Sequence, residues 1–318
     1  MRKEHTLSSQ FAIIGLDGQP ALQYCAAKAA VVRGIAAAAF LDKILFWQKE
    51  AWAGETFSAE LTTALERVRK LKKKEAQRLE KDMVAGLVAD GAMEIIPDLL
   101  GCDMDYVTAG VEIKAYRSDA GLYLSVTEGL RGEILDDGPV TIECVCLLWL
   151  IRESGCIHEI FSVREQEQIQ EKITTMTASA GRFDGDPVSM ASAAYAEMAD
   201  IIWKQEFHKG LELMVTSFLK GKRSLFRNPY LAGINLLFPF LERRAAIFVD
   251  FVVLGTDVAG RRGAMEAYLS EKGHYVEEVK SGSETLLRID NMYYRIWPKT
   301  VVVNRIPIQG ASLLPVYR

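Results

Sequence analysis

Between positions 61 and 87 the apolar residues Leu61, Leu65, Val68, Leu71, Leu79, Met83 and Leu87 recur mostly three or four apart. That spacing lays one apolar stripe along an α-helix and leaves the rest of its circumference to polar side chains. Those polar side chains are strongly cationic: Arg67, Arg69, Lys70, Lys72, Lys73, Lys74, Arg78 and Lys81. A helix of this kind buries one face against other helices and displays positive charge on the other. Ser58 is a plausible N-cap and Gly91 a stop, which predicts one long helix between them. The competing reading is a solvated face whose cations pair with Glu66, Glu75 and Glu80.

The cluster departs from the chain as a whole, which carries a formal net charge of -4 and has a pI near 5.8. A local cationic surface on an acidic protein attracts anionic partners at low salt. Nucleic acid is disfavoured by the acidic balance and by the lack of aromatic residues interleaved with the cations. With 318 residues, 49% of them hydrophobic and 25% charged, the chain can bury one or two cores and is not disordered. The most apolar stretch, Leu231 to Leu254, is interrupted by Glu242, Arg243, Arg244 and Asp250, so no membrane-spanning helix is expected. No apolar signal region follows Met1, and the five cysteines (Cys25, Cys102, Cys144, Cys146, Cys156) read as free thiols; a cytoplasmic location is expected.

Along the chain the pattern predicts an apolar helix near Leu7 to Leu16, a turn at Asp17-Gly18-Gln19-Pro20, and an Ala-rich helix from Leu22 to Leu41. Ile44, Leu45, Phe46 and Trp47 favour a short strand within Lys43 to Trp52. A β-hairpin is expected from Ala92, with its tip around Pro97 to Leu100 and its returning arm within Met104 to Tyr116. Further helices follow, including Val140 to Arg152, a Gln/Glu-rich helix, and one over Val188 to Leu219. Beyond Pro229 the alternation changes to strands at Ala245–Leu254, Tyr275–Val279, Leu286–Ile289, Tyr293–Trp297 and Thr300–Arg305, with a helix over Asp257–Lys272. The expected fold is mainly α: a helical bundle with a β-hairpin over residues 1–220, followed by a small α+β domain over 230–318.

Three stretches then resemble the Golgi phosphoprotein 3 family of phosphoinositide-binding peripheral membrane proteins. Thr6 to Leu16 is similar to the family's opening helix, and Tyr24 to Gly34 (YCAAKAAVVRG) matches a segment with an aromatic residue and an Arg-Gly nine residues later. Leu79 to Ile96 and Gly138 to Ile173 resemble the helix entering the family's hairpin and its later core. The resemblance implies that Tyr24 and Arg33 contact lipid, and that phosphatidylinositol 4-phosphate is the headgroup. It also implies a pair of helix-borne arginines; the matching positions are Gln77 and Glu80, with Arg78 and Lys81 each one residue further on.

The first functional reading is therefore a peripheral membrane adaptor, not an enzyme, that binds anionic phospholipid through Tyr24, Arg33, Lys74, Arg78 and Lys81. The second is an oligomeric scaffold joined through Leu99 and Leu100 at the hairpin tip, with residues 230–318 capturing a protein partner. No cofactor or metal is called for: His5, His158, His208 and His274 are scattered, and Cys144 and Cys146 fall on different helix faces. Cys156 and His158 are two apart, a poor spacing for a thiolate–imidazole pair. The Gly255 to Arg262 turn lacks the Lys-Ser/Thr of a phosphate loop, and Asp257 there reads as an N-cap.

Overall fold

The computed structural model describes residues 5–19, 21, 26–47, 54–96, 116–178, 187–206, 247–250, 258–271, 273–280, 285–303 and 306–316. In chain order, α1 (Leu7–Leu16), α2 (Ala26–Trp47), α3 (Gly54–Arg69) and α4 (Lys73–Ala89) lead into β1 (Met93–Ile95) and β2 (Tyr116–Ser118). Next come α5 (Ala120–Leu135), α6 (Ile142–Glu153), the single turn α7 (Ile157–Ile160), α8 (Val163–Thr177) and α9 (Pro187–Trp203). The last part holds β3 (Ile247–Asp250), α10 (Val258–Glu271), β4 (Val276–Lys280), β5 (Leu286–Ile289), β6 (Met292–Val303) and β7 (Ile306–Val316). The fold is thus a helical bundle with a β-hairpin, followed by a small α+β unit.

Two helices are apolar nearly all round and form the centre of the bundle. Phe11, Ala12, Ile13, Ile14 and Leu16 of α1 are fully buried, as are Val145, Cys146, Leu148, Trp149, Leu150 and Ile151 of α6. Helices of that kind need neighbours on every side, and α2, α5 and α9 supply them. A Cβ on Gly15 would stand 2.7 Å from Val31 Cγ1, so α1 and α2 approach as closely as they do because the residue there is glycine. Asp42 of α2 caps α1: its carboxylate accepts from the backbone N–H groups of Leu7 (2.8 Å) and Ser8 (3.1 Å).

One ion pair lies inside this packing. Lys28 Nζ of α2 stands 2.5 Å from Glu80 Oε1 of α4, with the two side chains 1% and 5% exposed. Tyr116 donates its hydroxyl to the same carboxylate at 2.7 Å, and Lys28 Nζ also donates to the Ala21 carbonyl at 3.3 Å. Isolated burial of either charge is strongly unfavourable, so each charge requires the other.

Several sequence expectations are corrected. The cationic run is two helices, not one. Lys70 and Leu71 leave α3 in a tight turn (Lys70 N–H to Arg67 O, Leu71 N–H to Val68 O), and Lys72 takes an extended conformation (φ -75°, ψ 150°). Glu75 then accepts from the Lys72 N–H at 3.0 Å, which starts α4 afresh. Ser58 is not the N-cap, because α3 already begins at Gly54. Ile44, Leu45, Phe46 and Trp47 are helical, continuing α2, since burial of Leu41 and Ile44 along one face outweighs β propensity. Gly91 does stop α4 (φ 70°), with the Ala92 N–H bonded to the Leu87 carbonyl. The hairpin exists, β1 pairing antiparallel with β2 at 116–118; the rest of the expected returning arm, 104–115, lies outside the described residues. Its tip, including Leu99 and Leu100, lies outside the described residues.

In the last unit the strands form one antiparallel sheet in the order β3-β7-β6-β5-β4. The expected strands at Tyr293–Trp297 and Thr300–Arg305 are one strand, β6, which runs through Pro298. Proline is tolerated there because, among the described residues, β5 pairs only with Met292 to Arg295, so no described strand offers an acceptor for an N–H at position 298. β7 was not foreseen. Met265 and Leu269 of α10 cover one sheet face, against Leu287, Ile289, Tyr294 and Leu313, a second apolar cluster separate from that of the bundle.

A polar joint connects the sheet to the bundle through the two-residue turn between β5 and β6. Asp290 sits in the left-handed region (φ 53°), which Asp tolerates better than most residues. Its carboxylate accepts from Arg117 of β2 (3.0 Å), from the Tyr275 N–H (3.0 Å) and from His274 Nδ1 (2.9 Å). Arg117 also reaches Glu94 (2.7 Å) and the Gly273 carbonyl (2.6 Å). Burial opposes the guanidinium's charge, yet the bonds to Glu94 and Asp290 outweigh it and raise its pKa. Next door, the Asn291 amide donates to Asp17 and to the Ser118 carbonyl, both at 3.1 Å.

Glu80→Leu strands the Lys28 ammonium in the core and is expected to lower the unfolding free energy by about 3–5 kcal/mol, with Lys28→Met added to it recovering most of the loss in urea titrations. A pH effect is expected at Glu165, whose hydrogen bond from Arg131 (2.6 Å) leads the causes holding its pKa down at about 2. A depressed carboxylate pKa stabilises the fold above the ordinary value near 4.5 and loses that contribution as pH falls toward 2. Arg131→Leu should therefore flatten the fall of melting temperature between pH 4.5 and 2.

Candidate anionic-lipid surface

α4 presents its cations on one side because Glu80 and the apolar residues fix its rotation. Ala76, Glu80, Val84 and Leu87 are buried, and at 100° per residue they occupy one sector of the helix. Lys74, Arg78 and Lys81 are spaced i, i+4, i+7 and fall about 100–160° round the helix from Glu80. All three are exposed. Ala85 and Val88 continue the same line toward the C-terminus, and Val88 is 42% exposed, so the cationic stripe runs into a small apolar patch.

Among the described residues, carboxylates do not cancel this stripe. Arg78 Nε stands 3.8 Å from Asp82 Oδ2, but the two side chains are 86% and 70% exposed, and a pair so wet contributes about 0–1 kcal/mol. Lys70 and Glu66 pair at 3.6 Å in the same exposed manner. Of the other expected carboxylate partners, Glu75 is bonded to the backbone of Lys72 and Glu80 points inward to Lys28. Position 80 thus serves a buried ion pair and shows no charge to solvent.

Arg33 lies elsewhere. It follows Lys28 by five residues on α2, so it is turned about 140° from the direction in which Lys28 meets α4. It shares its side of α2 with Ala36 and Phe40, spaced i, i+3, i+7. The structure thus brings Lys74, Arg78 and Lys81 together and leaves Arg33 on a different face. Tyr24 lies outside the described residues.

Other chemistry-bearing candidates are absorbed into packing. Cys144, Cys146 and Cys156 are buried free thiols, and burial pushes the pKa of Cys144 and Cys146 up. Cys156 accepts from the Ser154 hydroxyl at 3.0 Å, whereas His158 Nδ1 faces the Gln166 amide at 3.2 Å, so the two do not form a nucleophile–base pair. Glu278 pairs with Arg262 at 2.9 Å and Glu277 with Arg288 at 3.6 Å. Among the described residues no group of three or more His, Cys, Asp and Glu could hold a metal ion. No helix among them is long and apolar enough to cross a membrane. The polar joint of Arg117, His274 and Asp290 was not foreseen, since its members are far apart in the chain and carry no local pattern.

Comparison of the chain with protein-family models, with curated proteins and with solved structures finds no match.

Iodoacetamide at pH 8 should leave Cys144, Cys146 and Cys156 unmodified in the native protein over a period that labels them fully in denaturant, as read by peptide mass spectrometry.

Proposed function

We propose that the chain is a peripheral membrane adaptor that binds anionic phospholipid headgroups through the α4 stripe. The observation that carries this reading is the exposed line of Lys74, Arg78 and Lys81, running into Ala85 and Val88, on an otherwise acidic protein. Each basic residue near an anionic bilayer contributes about 1 kcal/mol, and three on one line act together on a flat surface. The exposed Val88 adds an apolar contact at the headgroup boundary.

The resemblance to the Golgi phosphoprotein 3 family supports the same class of partner. Its specific headgroup pocket asks more, because Arg33 would have to join the helix-borne cations, and the rotation of α2 turns Arg33 away from α4. The geometry favours recognition by surface charge over recognition of a single headgroup such as phosphatidylinositol 4-phosphate. The oligomeric scaffold rests on Leu99 and Leu100, outside the described residues, and no observation here favours it.

Vesicle co-sedimentation tests the proposal. Retention is expected on phosphatidylserine vesicles and on phosphatidylinositol 4-phosphate vesicles of matched surface charge, absent on neutral ones, and falling steeply as salt rises. The triple reversal Lys74→Glu, Arg78→Glu, Lys81→Glu should weaken it at least tenfold. Unchanged retention of the triple variant sinks the reading.

A further inference from the structure

A cleft lies where the C-terminal sheet meets the bundle, next to the polar joint. Tyr123 and Thr127 of α5 and Glu159 of α7 line it on the bundle side, and Arg288, Asn291 and Tyr293 line it on the sheet side. Its volume is about 50 Å³, several times the roughly 10–15 Å³ in which a single water sits. Junctions between structural units are common places for small-ligand sites.

Two polar groups of this cleft lack what they need. Asn291 is only 7% exposed. Its amide nitrogen is spent on Asp17 and on the Ser118 carbonyl, while its Oδ1 accepts no hydrogen bond. A buried acceptor without a donor is unfavourable. Arg288 is the complement: its side chain is 19% exposed, and its ion pair with the wet Glu277 spans 3.6 Å, beyond hydrogen-bond length. Among the described residues its guanidinium therefore makes no hydrogen bond. The other guanidinium of the cleft, Arg131, is already committed to the Ile160 carbonyl and to Glu165, both at 2.6 Å. Charge in the lining balances, with Arg131 and Arg288 set against Glu128 and Glu159.

We propose that this cleft binds a small α-amino acid as its zwitterion, with the carboxylate on Arg288 and the ammonium on Asn291 Oδ1. The unmet groups are one forked donor and one acceptor, so a matching ligand presents an acceptor and a donor together. An anion alone leaves Asn291 Oδ1 unpaired, and a cation alone leaves the Arg288 guanidinium so. A lining of balanced charge favours neither net sign, and a zwitterion complements it. The volume admits glycine, alanine or serine and excludes a bulky side chain. This site is distinct from the α4 stripe and stands or falls without it.

Isothermal titration of the full chain with glycine tests the assignment. Saturable one-to-one binding is expected at up to millimolar glycine, about tenfold or more weaker for acetate, glycolate and methylamine. Arg288→Met removes the carboxylate's partner and should weaken glycine about tenfold or more. Leu124, 42% exposed at the rim, offers a second variant: Leu124→Trp obstructs the cleft from the surface and should weaken glycine to a similar degree, with circular dichroism confirming the fold of both. The triple reversal of Lys74, Arg78 and Lys81 should leave glycine binding unchanged. Absence of saturable binding, which would mean that water alone fills the cleft, equal binding of acetate, glycolate or methylamine, undiminished binding by folded Leu124→Trp, or loss in the triple variant would each overturn the proposal.

Discussion

The pairing of Lys28 with Glu80 governs what this molecule shows to solvent. Two charges buried to within a few per cent cannot be parted cheaply, so their contact fixes the rotation of α4 about its own axis relative to α2. Once Glu80 points inward, helical geometry leaves no freedom in the placement of Lys74, Arg78 and Lys81. The Tyr116 hydroxyl on the same carboxylate extends that constraint to the hairpin. A surface charge pattern is here the outward consequence of a buried one.

The hairpin carries the constraint further. Tyr116 looks inward to the Lys28–Glu80 pair, while its neighbour Arg117 reaches the opposite way, to Asp290 and Gly273 at the edge of the C-terminal sheet. Ser118 completes the sequence with bonds to Asp17 and to the Ile13 carbonyl. Three consecutive residues thus connect the buried ion pair, the sheet and α1. The apolar clusters of bundle and sheet are separate, and the contacts joining them at this turn are polar and directional.

Buried and displayed charges contrast in their partners. Buried polar groups such as Asp290 and Glu80 serve architecture, held by specific partners at 2.5–3.0 Å. The exposed Arg78 of α4 has only a weak, wet partner in Asp82. Arg33, turned about 140° round α2 from Lys28, does not extend the α4 stripe.

Local pattern was enough to determine the mainly α character, the amphipathic cationic segment, the stop at Gly91 and most of the β segments, because each depends on periodicity or backbone preference over a few residues. It was not enough for Ile44 to Trp47, where strand-favouring side chains extend α2, nor for the break at Lys70 to Lys72, where backbone hydrogen bonding ends one helix and Glu75 begins another. The tertiary structure alone decided that Glu80 is buried and Arg78 displayed, that Arg33 parts company with α4, and that Arg117 meets Asp290. These depend on which way a helix is rolled against its neighbours and on contacts across as many as 173 residues of chain. Sequence periodicity identifies a helix's faces, but the partner charge that locks one of them inward becomes visible only when the chain is folded.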